Sequence, residues 1–200
     1  MNLHLVRHAE SEVNLQGITH KSNDKAQLSF TGRRQAEALI GIFRKYSVGR
    51  IYSSPETRAI ETTEIVGTSV NKPIEVILEL VERNWGQWGG RNWEEIENEL
   101  KRMTIEERYI FIPPSGESWK EMDDRLKKVI ERITNGKEEN VAIITHEGTL
   151  RALVTLLNKA PKASSLNLHF DNASISSFKY SNGIFKQLSI NNTSHLDDLK

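Results

Sequence analysis

Residues 3–10 of this 200-residue chain have the sequence Leu-His-Leu-Val-Arg-His-Ala-Glu. The apolar run at 3–6 predicts a buried strand, and the charged and titratable side chains of Arg7 and His8 mark the point where this strand leaves its sheet. Residues 50–54 and 141–145 have the same pattern, and a helix-forming segment follows each of them. The chain is therefore predicted to alternate buried strands with helices.

Further strands and helices are predicted between these segments and after them. Additional strands are predicted at 74–78, 174–180 and 184–190, and amphipathic helices around 36–46, 93–100 and 119–133. The Glu-rich helix around 93–100 is predicted to be partly exposed, and Asn182-Gly183 predicts a hairpin between the last two strands. This order of elements predicts an α/β fold of three layers, in which helices flank a mostly parallel sheet and the hairpin forms an antiparallel edge.

The composition excludes several classes of protein. Because 27 Lys and Arg residues balance 27 Asp and Glu residues, the chain has no basic field that would attract nucleic acid. The absence of cysteine excludes disulfide scaffolds, thiol nucleophiles and cysteine-ligated metal sites. There is no signal sequence and no apolar run of about 18 residues, so we predict a cytoplasmic protein without a membrane span.

Titratable side chains cluster where the predicted strands end. Ligands of open α/β sheets bind at the carboxyl ends of the strands, and the residues expected there are Arg7, His8, Arg58, Glu82 and His146. Arginine guanidinium groups bind phosphate oxygens bidentately. A histidine beside them can donate a hydrogen bond to the phosphate or attack phosphorus, and a glutamate can protonate the leaving oxygen. These residue types therefore indicate phosphate chemistry and leave the role of each histidine open.

Several motifs resemble, in their order along the chain, those of the histidine phosphatase superfamily, which is also called phosphoglycerate mutase-like. Arg-His-Ala-Glu at 7–10, Ser-Ser-Pro-Glu-Thr-Arg-Ala at 53–59 and Thr-His-Glu-Gly at 145–148 are the most specific of these motifs. Further matching segments lie at 28–36, 80–89, 115–125 and 191–196. The resemblance implies that residues 1–200 form one domain of this fold, with a small helical lid inserted at about 84–115, and it is greatest to broad-specificity phosphatases.

The resemblance also implies a role for each matched residue. It implies that His8 is the nucleophile that becomes phosphorylated and that Arg7, Arg58 and His146 hold the phosphoryl oxygens. It further implies that Glu82 is the general acid and then the base, and that Asn14 contacts phosphate. No metal or other cofactor is implied, because the arginines and His146 would supply the charge that Mg²⁺ supplies in kinases.

Some positions depart from the family pattern or have two interpretations. Glu147 stands where the family often has glycine; we include it among the residues of the phosphate site, although a carboxylate weakens phosphate binding unless its side chain points away. His20 is a candidate for the pocket border, and His4 is interpreted as structural. Four tryptophans, Trp85, Trp88, Trp93 and Trp119, either pack in the core or form an apolar wall for an organic leaving group.

The sequence therefore predicts a phosphoric monoester hydrolase that acts on a small phosphorylated metabolite through phosphohistidine and releases inorganic phosphate without a metal. Two alternatives stay open: a cofactor-dependent phosphoglycerate mutase, and a domain that binds phosphate or a partner without catalysis. The identity of the substrate and the oligomeric state, including a homodimer, are not determined by the sequence. Substrate specificity is expected to depend on the loop at 17–27 and on the segment at 84–114.

Overall fold

The computed structural model describes residues 1–21 and 24–199. Residues 22 and 23 of the predicted specificity loop and the last residue of the predicted domain, 200, lie outside the described residues. The described residues form a six-stranded sheet with the strand order β3-β2-β4-β1-β5-β6. The strands are β1 (Asn2–Arg7), β2 (Arg50–Ser53), β3 (Ile74–Val76), β4 (Asn140–Thr145), β5 (Ile175–Ser181) and β6 (Ile184–Asn192).

The first four strands are parallel, β5 is antiparallel to β1, and β6 is antiparallel to β5. β4 lies between β1 and β2 and pairs in parallel with both; Arg7 is opposite Thr145, and Ser53 is opposite Ile144. The carboxyl ends of β1, β4 and β2 therefore lie side by side, and this side of the sheet is called its carboxyl edge. β5 and β6 are the antiparallel strands at one side of the sheet that the sequence predicts, and their turn at Asn182 and Gly183 has φ values of 50° and 77°, as a two-residue hairpin turn requires.

Helices cover both faces of the sheet, which confirms the predicted three layers. The α-helices are α1 (Phe30–Lys45), α2 (Thr57–Val70), α3 (Trp93–Leu100), α4 (Ile105–Ile110), α5 (Trp119–Thr134) and α6 (Glu147–Leu157). Alternate residues of β1 point to opposite faces of the sheet: Leu3 and Leu5 pack with α5 and α6, and Val6 packs with α1 and α2. Short 3-10 helices lie at Asn14–Gln16, Leu78–Leu80, Gly86–Trp88, Lys162–Asn167 and Ser194–Leu199. No helix within the described ranges is long and apolar enough to cross a membrane.

The chain that follows β1 is fixed against the start of α1. Ser29 caps this helix by accepting a hydrogen bond from the backbone N–H of Gly32, and its hydroxyl donates to the Glu10 carboxylate at 2.6 Å. A Cβ atom at position 32 would lie 1.9 Å from the Glu10 carbonyl oxygen, so only glycine allows this approach. The close contact holds residues 8–10 beside the carboxyl edge of the sheet.

The segment predicted as a lid, 84–115, has a small hydrophobic cluster of its own. Trp85, Ile96 and Leu100 form its buried centre. The helix around 93–100, which the sequence predicts to be partly exposed, buries Ile96 completely and leaves Trp93 38% exposed. The segment thus packs as an apolar unit beside the carboxyl edge, and its role as a lid stays a prediction.

Candidate active site

The strands and helices bring the predicted site residues together at the carboxyl edge of the sheet. His8 follows β1, His146 is the N-cap residue of α6 directly after β4, and Arg58 lies in the first turn of α2 after β2. A pocket of about 330 Å³ opens above them, and its walls include Arg7, His8, Asn14, Glu82 and Glu147. Arg58 and His146 are completely buried and lie behind His8.

His8 presents a nitrogen lone pair to the site. Its Nδ1 lies 2.7 Å from the carbonyl oxygen of Ala9, and because a carbonyl only accepts hydrogen bonds, Nδ1 carries the proton. Nε2 is therefore the unprotonated nitrogen, and it accepts a bond from Nε of Arg58 at 3.2 Å. Burial, followed by the positive charge of Arg58, lowers the pKa of His8 well below its usual value. The imidazole is held neutral, and Nε2 is the candidate nucleophile, whose lone pair must first be released from the bond with Arg58.

Each of the three nitrogens of the Arg58 guanidinium donates a hydrogen bond. Besides the bond from Nε to His8, Nη1 donates to Asp24 at 3.3 Å and Nη2 donates to Glu56 at 2.9 Å. Asp24 also accepts a bond of 2.7 Å from Nδ1 of His20, and the His20 ring lies edge-on to the His8 ring. Arg58 thus carries its positive charge in a fully buried position because two carboxylates balance it.

His146 is bound by groups at the start of α2. Its Nε2 lies 2.6 Å from the Glu56 carboxylate and 2.7 Å from the Ser54 hydroxyl. A carboxylate accepts only, so Nε2 carries a proton and can donate it to an oxygen anion. Burial opposes the charge of Glu56, but His146 and Arg58 outweigh it and hold the pKa of Glu56 below its usual range. The ring of His146 lies 5.1 Å from the ring of His8, centroid to centroid.

The Glu82 carboxyl lies on the N-terminus of α6. Oε2 accepts a bond from the backbone N–H of Gly148 at 3.0 Å, and Oε1 accepts bonds from the N–H groups of Thr149 and Arg83 at 3.1 and 2.8 Å. Oε1 has both of its acceptor positions in use, so Oε2 is the oxygen with a position left for a proton. Arg125 donates to the carbonyl oxygens of residues 81 and 82 and so holds the backbone that carries Glu82. Backbone groups therefore fix where Glu82 can act as an acid.

Arg7 faces the pocket together with Glu147. Nη1 of Arg7 lies 3.1 Å from Oε2 of Glu147, whose other oxygen accepts bonds from Arg151 at 2.7 Å and from His169 at 2.9 Å. The side chain of Glu147 thus points toward the cations of the pocket. Nε of Arg7 is buried and has no partner within the described part of the chain, so it is a donor that a bound anion can use.

Asn14 lines the same pocket. Its Oδ1 accepts bonds from the backbone and hydroxyl of Ser11 and from the Asn172 amide, which leaves the Nδ2 group to donate to a ligand. Asn14 and Arg7 therefore offer hydrogen-bond donors on the pocket surface, where His8 is the nucleophile candidate.

Three tryptophans form an outer wall of the pocket: Trp85, Trp93 and Trp119. Trp88, the fourth candidate, does not line it and packs on Phe111 instead. The guanidinium of Arg83 lies 4.4 Å from the ring of Trp85 and 5.2 Å from that of Trp119. Burial lowers the pKa of Arg83 to about 10, so it stays charged at neutral pH. The wall thus combines aromatic surface with one cation.

Sequence reasoning missed three residues that contribute to this site, namely Asp24, Glu56 and Arg83. Glu56 lies within the Ser-Ser-Pro-Glu-Thr-Arg-Ala motif. A carboxylate is unexpected in a motif that binds anions, and this was the signal in the sequence that could have pointed to Glu56. Arg83 follows Glu82 directly, and nothing in the pattern indicates that it turns into the pocket wall. His4 lies outside the site, where it bonds Ser177 and stacks on Tyr46, and His20 borders the pocket.

The chain matches a protein family over nearly its whole length. The family model described as histidine phosphatase superfamily (branch 1) matches residues 3–193. Within residues 1–21 and 24–199, no group of three or more His, Asp or Glu side chains is arranged to hold a metal ion.

The relatives of this chain include proteins named as phosphatases and a protein named as a phosphoglycerate mutase. A protein from Hydrogenobacter thermophilus, named provisionally as phosphoserine phosphatase 2, is 32% identical over 178 residues, which cover 86% of each chain. The 2,3-bisphosphoglycerate-dependent phosphoglycerate mutase of Thermoplasma acidophilum is 31% identical and covers 86% of this chain and 83% of its own. Among solved structures, mycobacterial glucosyl-3-phosphoglycerate phosphatase is similar with a TM-score of 0.84 and 24% identity, covering 96% of this chain and 99% of that one.

Proposed function

The chain belongs to the histidine phosphatase superfamily, and on this basis we propose that it is a metal-independent phosphomonoesterase that acts through a phosphohistidine. The observation that carries the proposal is the arrangement around His8. Its unprotonated Nε2 accepts a bond from Arg58, the ring of His146 lies beside it, and Arg7 and Glu82 line the same pocket as His8. A neutral imidazole, positive charge and an acid candidate in one pocket are the groups that phosphoryl transfer requires.

In the first step, Nε2 of His8 attacks phosphorus in line with the ester bond. The N–P bond forms as the P–O bond to the leaving group breaks, and Oε2 of Glu82 gives its proton to the departing oxygen. Arg7, Arg58, His146 and Asn14 donate hydrogen bonds to the phosphoryl oxygens, where negative charge increases in the transition state.

In the second step, water attacks the phosphohistidine. Glu82, now without its proton, accepts a proton from this water, the N–P bond breaks, and inorganic phosphate and neutral His8 are restored. Glu147 acts in this scheme through Arg7, whose side chain it holds, rather than by touching phosphate.

The tryptophan wall supports a leaving group that is organic and partly apolar. We propose that Trp85, Trp93 and Trp119 pack against it when the segment 84–115 covers the pocket as a lid. Trp93→Ala tests this with little effect on folding, because this side chain is already 38% exposed. Its kcat/KM is expected to fall more for bulky aryl and alkyl phosphates than for small ones, and Trp85→Ala is expected to do the same. Equal kcat/KM across small and bulky esters in both variants contradicts the wall.

The decisive experiment measures phosphate release from a panel of phosphomonoesters, including 3-phosphoglycerate, in excess EDTA. The unmodified chain is expected to turn over, and His8→Ala is expected to lose turnover with an intact fold. The control variant His195→Ala, which changes a histidine of the 3-10 helix Ser194–Leu199 that does not line the pocket, is expected to keep it. Turnover that survives in His8→Ala overturns the mechanism. Isomerisation of phosphoglycerate that requires a bisphosphate primer, without net phosphate release, assigns the mutase activity instead.

A further inference from the structure

One carboxylate oxygen occupies the hydrogen-bond donors of the phosphoryl site. Oε2 of Glu56 lies 2.6 Å from Nε2 of His146, 2.9 Å from Nη2 of Arg58 and 3.2 Å from the backbone N–H of Glu82. The side chain of Glu56 is only 9% exposed, so these contacts are formed away from bulk water. Three donors that converge on one anionic oxygen form an oxyanion site, and in this structure a residue of the same chain fills it.

The same donors are needed by the substrate. In the proposed mechanism, His146 and Arg58 bind the phosphoryl oxygens, yet each nitrogen of Arg58 already donates to Glu56, Asp24 or His8. Glu56 takes the single N–H of His146 Nε2. Nη1 and Nη2 of Arg58 each keep a second N–H, but a phosphoryl group bound there together with His146 would lie beside the Glu56 carboxylate, and two anions in one buried site repel each other strongly. Binding of the substrate therefore requires the carboxylate of Glu56 to move.

A space for this movement adjoins the site. A second cavity of about 140 Å³ is lined by Glu56, Lys21 and Asn84, and it shares His20, Glu82 and Arg83 with the main pocket. A rotation of the Glu56 side chain into this cavity would move the carboxylate away from His146 and Arg58 and release both donors.

We propose that Glu56 is a positioning residue that competes with phosphate for His146 and Arg58. Glu56 holds both donors in place before substrate binds, and after hydrolysis it returns to them and displaces the product. This inference rests on the proposed function, because it concerns the same phosphoryl site. It predicts that inorganic phosphate binds more weakly to this chain than its number of buried cations alone would allow.

The test compares the affinity for inorganic phosphate in the unmodified chain and in Glu56→Gln. Gln keeps the size and a hydrogen-bond acceptor but removes the charge, so phosphate is expected to bind about tenfold more tightly or better, and product inhibition is expected to increase in parallel. Glu64→Gln is the matched control, since it removes the same charge from an exposed position of α2. Glu56→Asp keeps the charge and is expected to bind phosphate nearly as the unmodified chain does. A phosphate affinity of Glu56→Gln that equals that of Glu64→Gln overturns the proposal, and so does failure of every variant to bind phosphate.

A measurement on the unmodified chain does not depend on how the variants fold. The ¹⁵N signals of the His146 ring are expected to shift when phosphate replaces Glu56 at Nε2, and unchanged signals at saturating phosphate overturn the proposal. His8→Ala, assayed beside the other variants, separates the two claims. If it retains turnover, the phosphohistidine mechanism fails, while the phosphate affinities still decide the role of Glu56.

Discussion

The substitution Gly148→Ala is expected to displace the Glu82 carboxyl and reduce activity while the chain keeps its fold. A Cβ atom at position 148 would lie 2.5 Å from Oε1 of Glu82 and 3.2 Å from its Cδ, whereas ordinary contacts begin at 3.4 Å. The carboxyl must therefore retreat by roughly 1 Å, a displacement that can reduce the rate of a catalysed reaction by about 10²-fold. We expect kcat/KM for an alkyl phosphate, which depends on the acid, to fall by about this factor.

The stability of the same variant is expected to fall by only about 1–1.5 kcal/mol. Alanine is favoured over glycine in a helix by about 0.5–1 kcal/mol, and this gain offsets part of the loss of the bonds from Gly148 and Thr149 to Glu82, each of about 1 kcal/mol. Gly41→Ala is the control, because among the described residues no atom beyond the neighbouring backbone of the helix lies within 4 Å of a Cβ there, and the helix should gain stability with unchanged activity. Steady-state kinetics and urea unfolding measure both effects. Unchanged kcat/KM for Gly148→Ala, or a loss of activity explained by unfolding, refutes the reasoning.

Three further predictions follow from the titratable groups. Burial lowers the pKa of His4 to about 4 from 6.5, so its contribution to stability is complete above pH 6.5 and is lost as the pH falls toward 4; in urea unfolding, the unmodified chain should lose about 2 kcal/mol more than His4→Gln between about pH 7.5 and about pH 5. Because the pKa of His8 is lowered, protonation of His8 should reduce kcat/KM only well below pH 6.5, and a half-maximal point at 6.5 or above would contradict its buried, neutral state. Glu82→Gln should slow hydrolysis most for esters with poor leaving groups, and an equal loss for nitrophenyl and alkyl phosphates would exclude the acid role.

The two central strands β1 and β4 could be predicted because each is a short, mostly apolar run. Residues 3–6 and 141–144 are buried on both faces, so their sequences lack the strict alternation of an exposed strand, and they are too short for a helix. The hairpin was predictable for a local reason as well, since Asn and Gly tolerate the positive φ angles of its turn. The site residues at the strand ends followed from the parallel arrangement, which places them at one edge.

The partners of the site residues could not be predicted in the same way. Glu56 and Arg58 are two positions apart, and whether the first turns toward His146 depends on the packing of α2 against β4, which no local pattern specifies. Glu147 shows the same limit: the sequence places it beside the site, but only the fold shows that it joins Arg7 to Arg151 and His169. The helix around 93–100 is partly exposed as predicted, but the sequence does not show what covers Ile96, because Trp85 of the same cluster lies outside this helix.

The pairing of β1 with β4 determines when the chain can become active during its synthesis. Asn2 and Asn140, which face each other across these strands, are 138 positions apart, so the first strand emerges from the ribosome long before its neighbour exists. Loop closure over this distance is slow, and until it occurs His8 and His146 belong to separate parts of a nascent chain. Recovery of activity after dilution from denaturant should therefore coincide with the last cooperative folding phase, and no fragment that ends before β4 should carry a partial site.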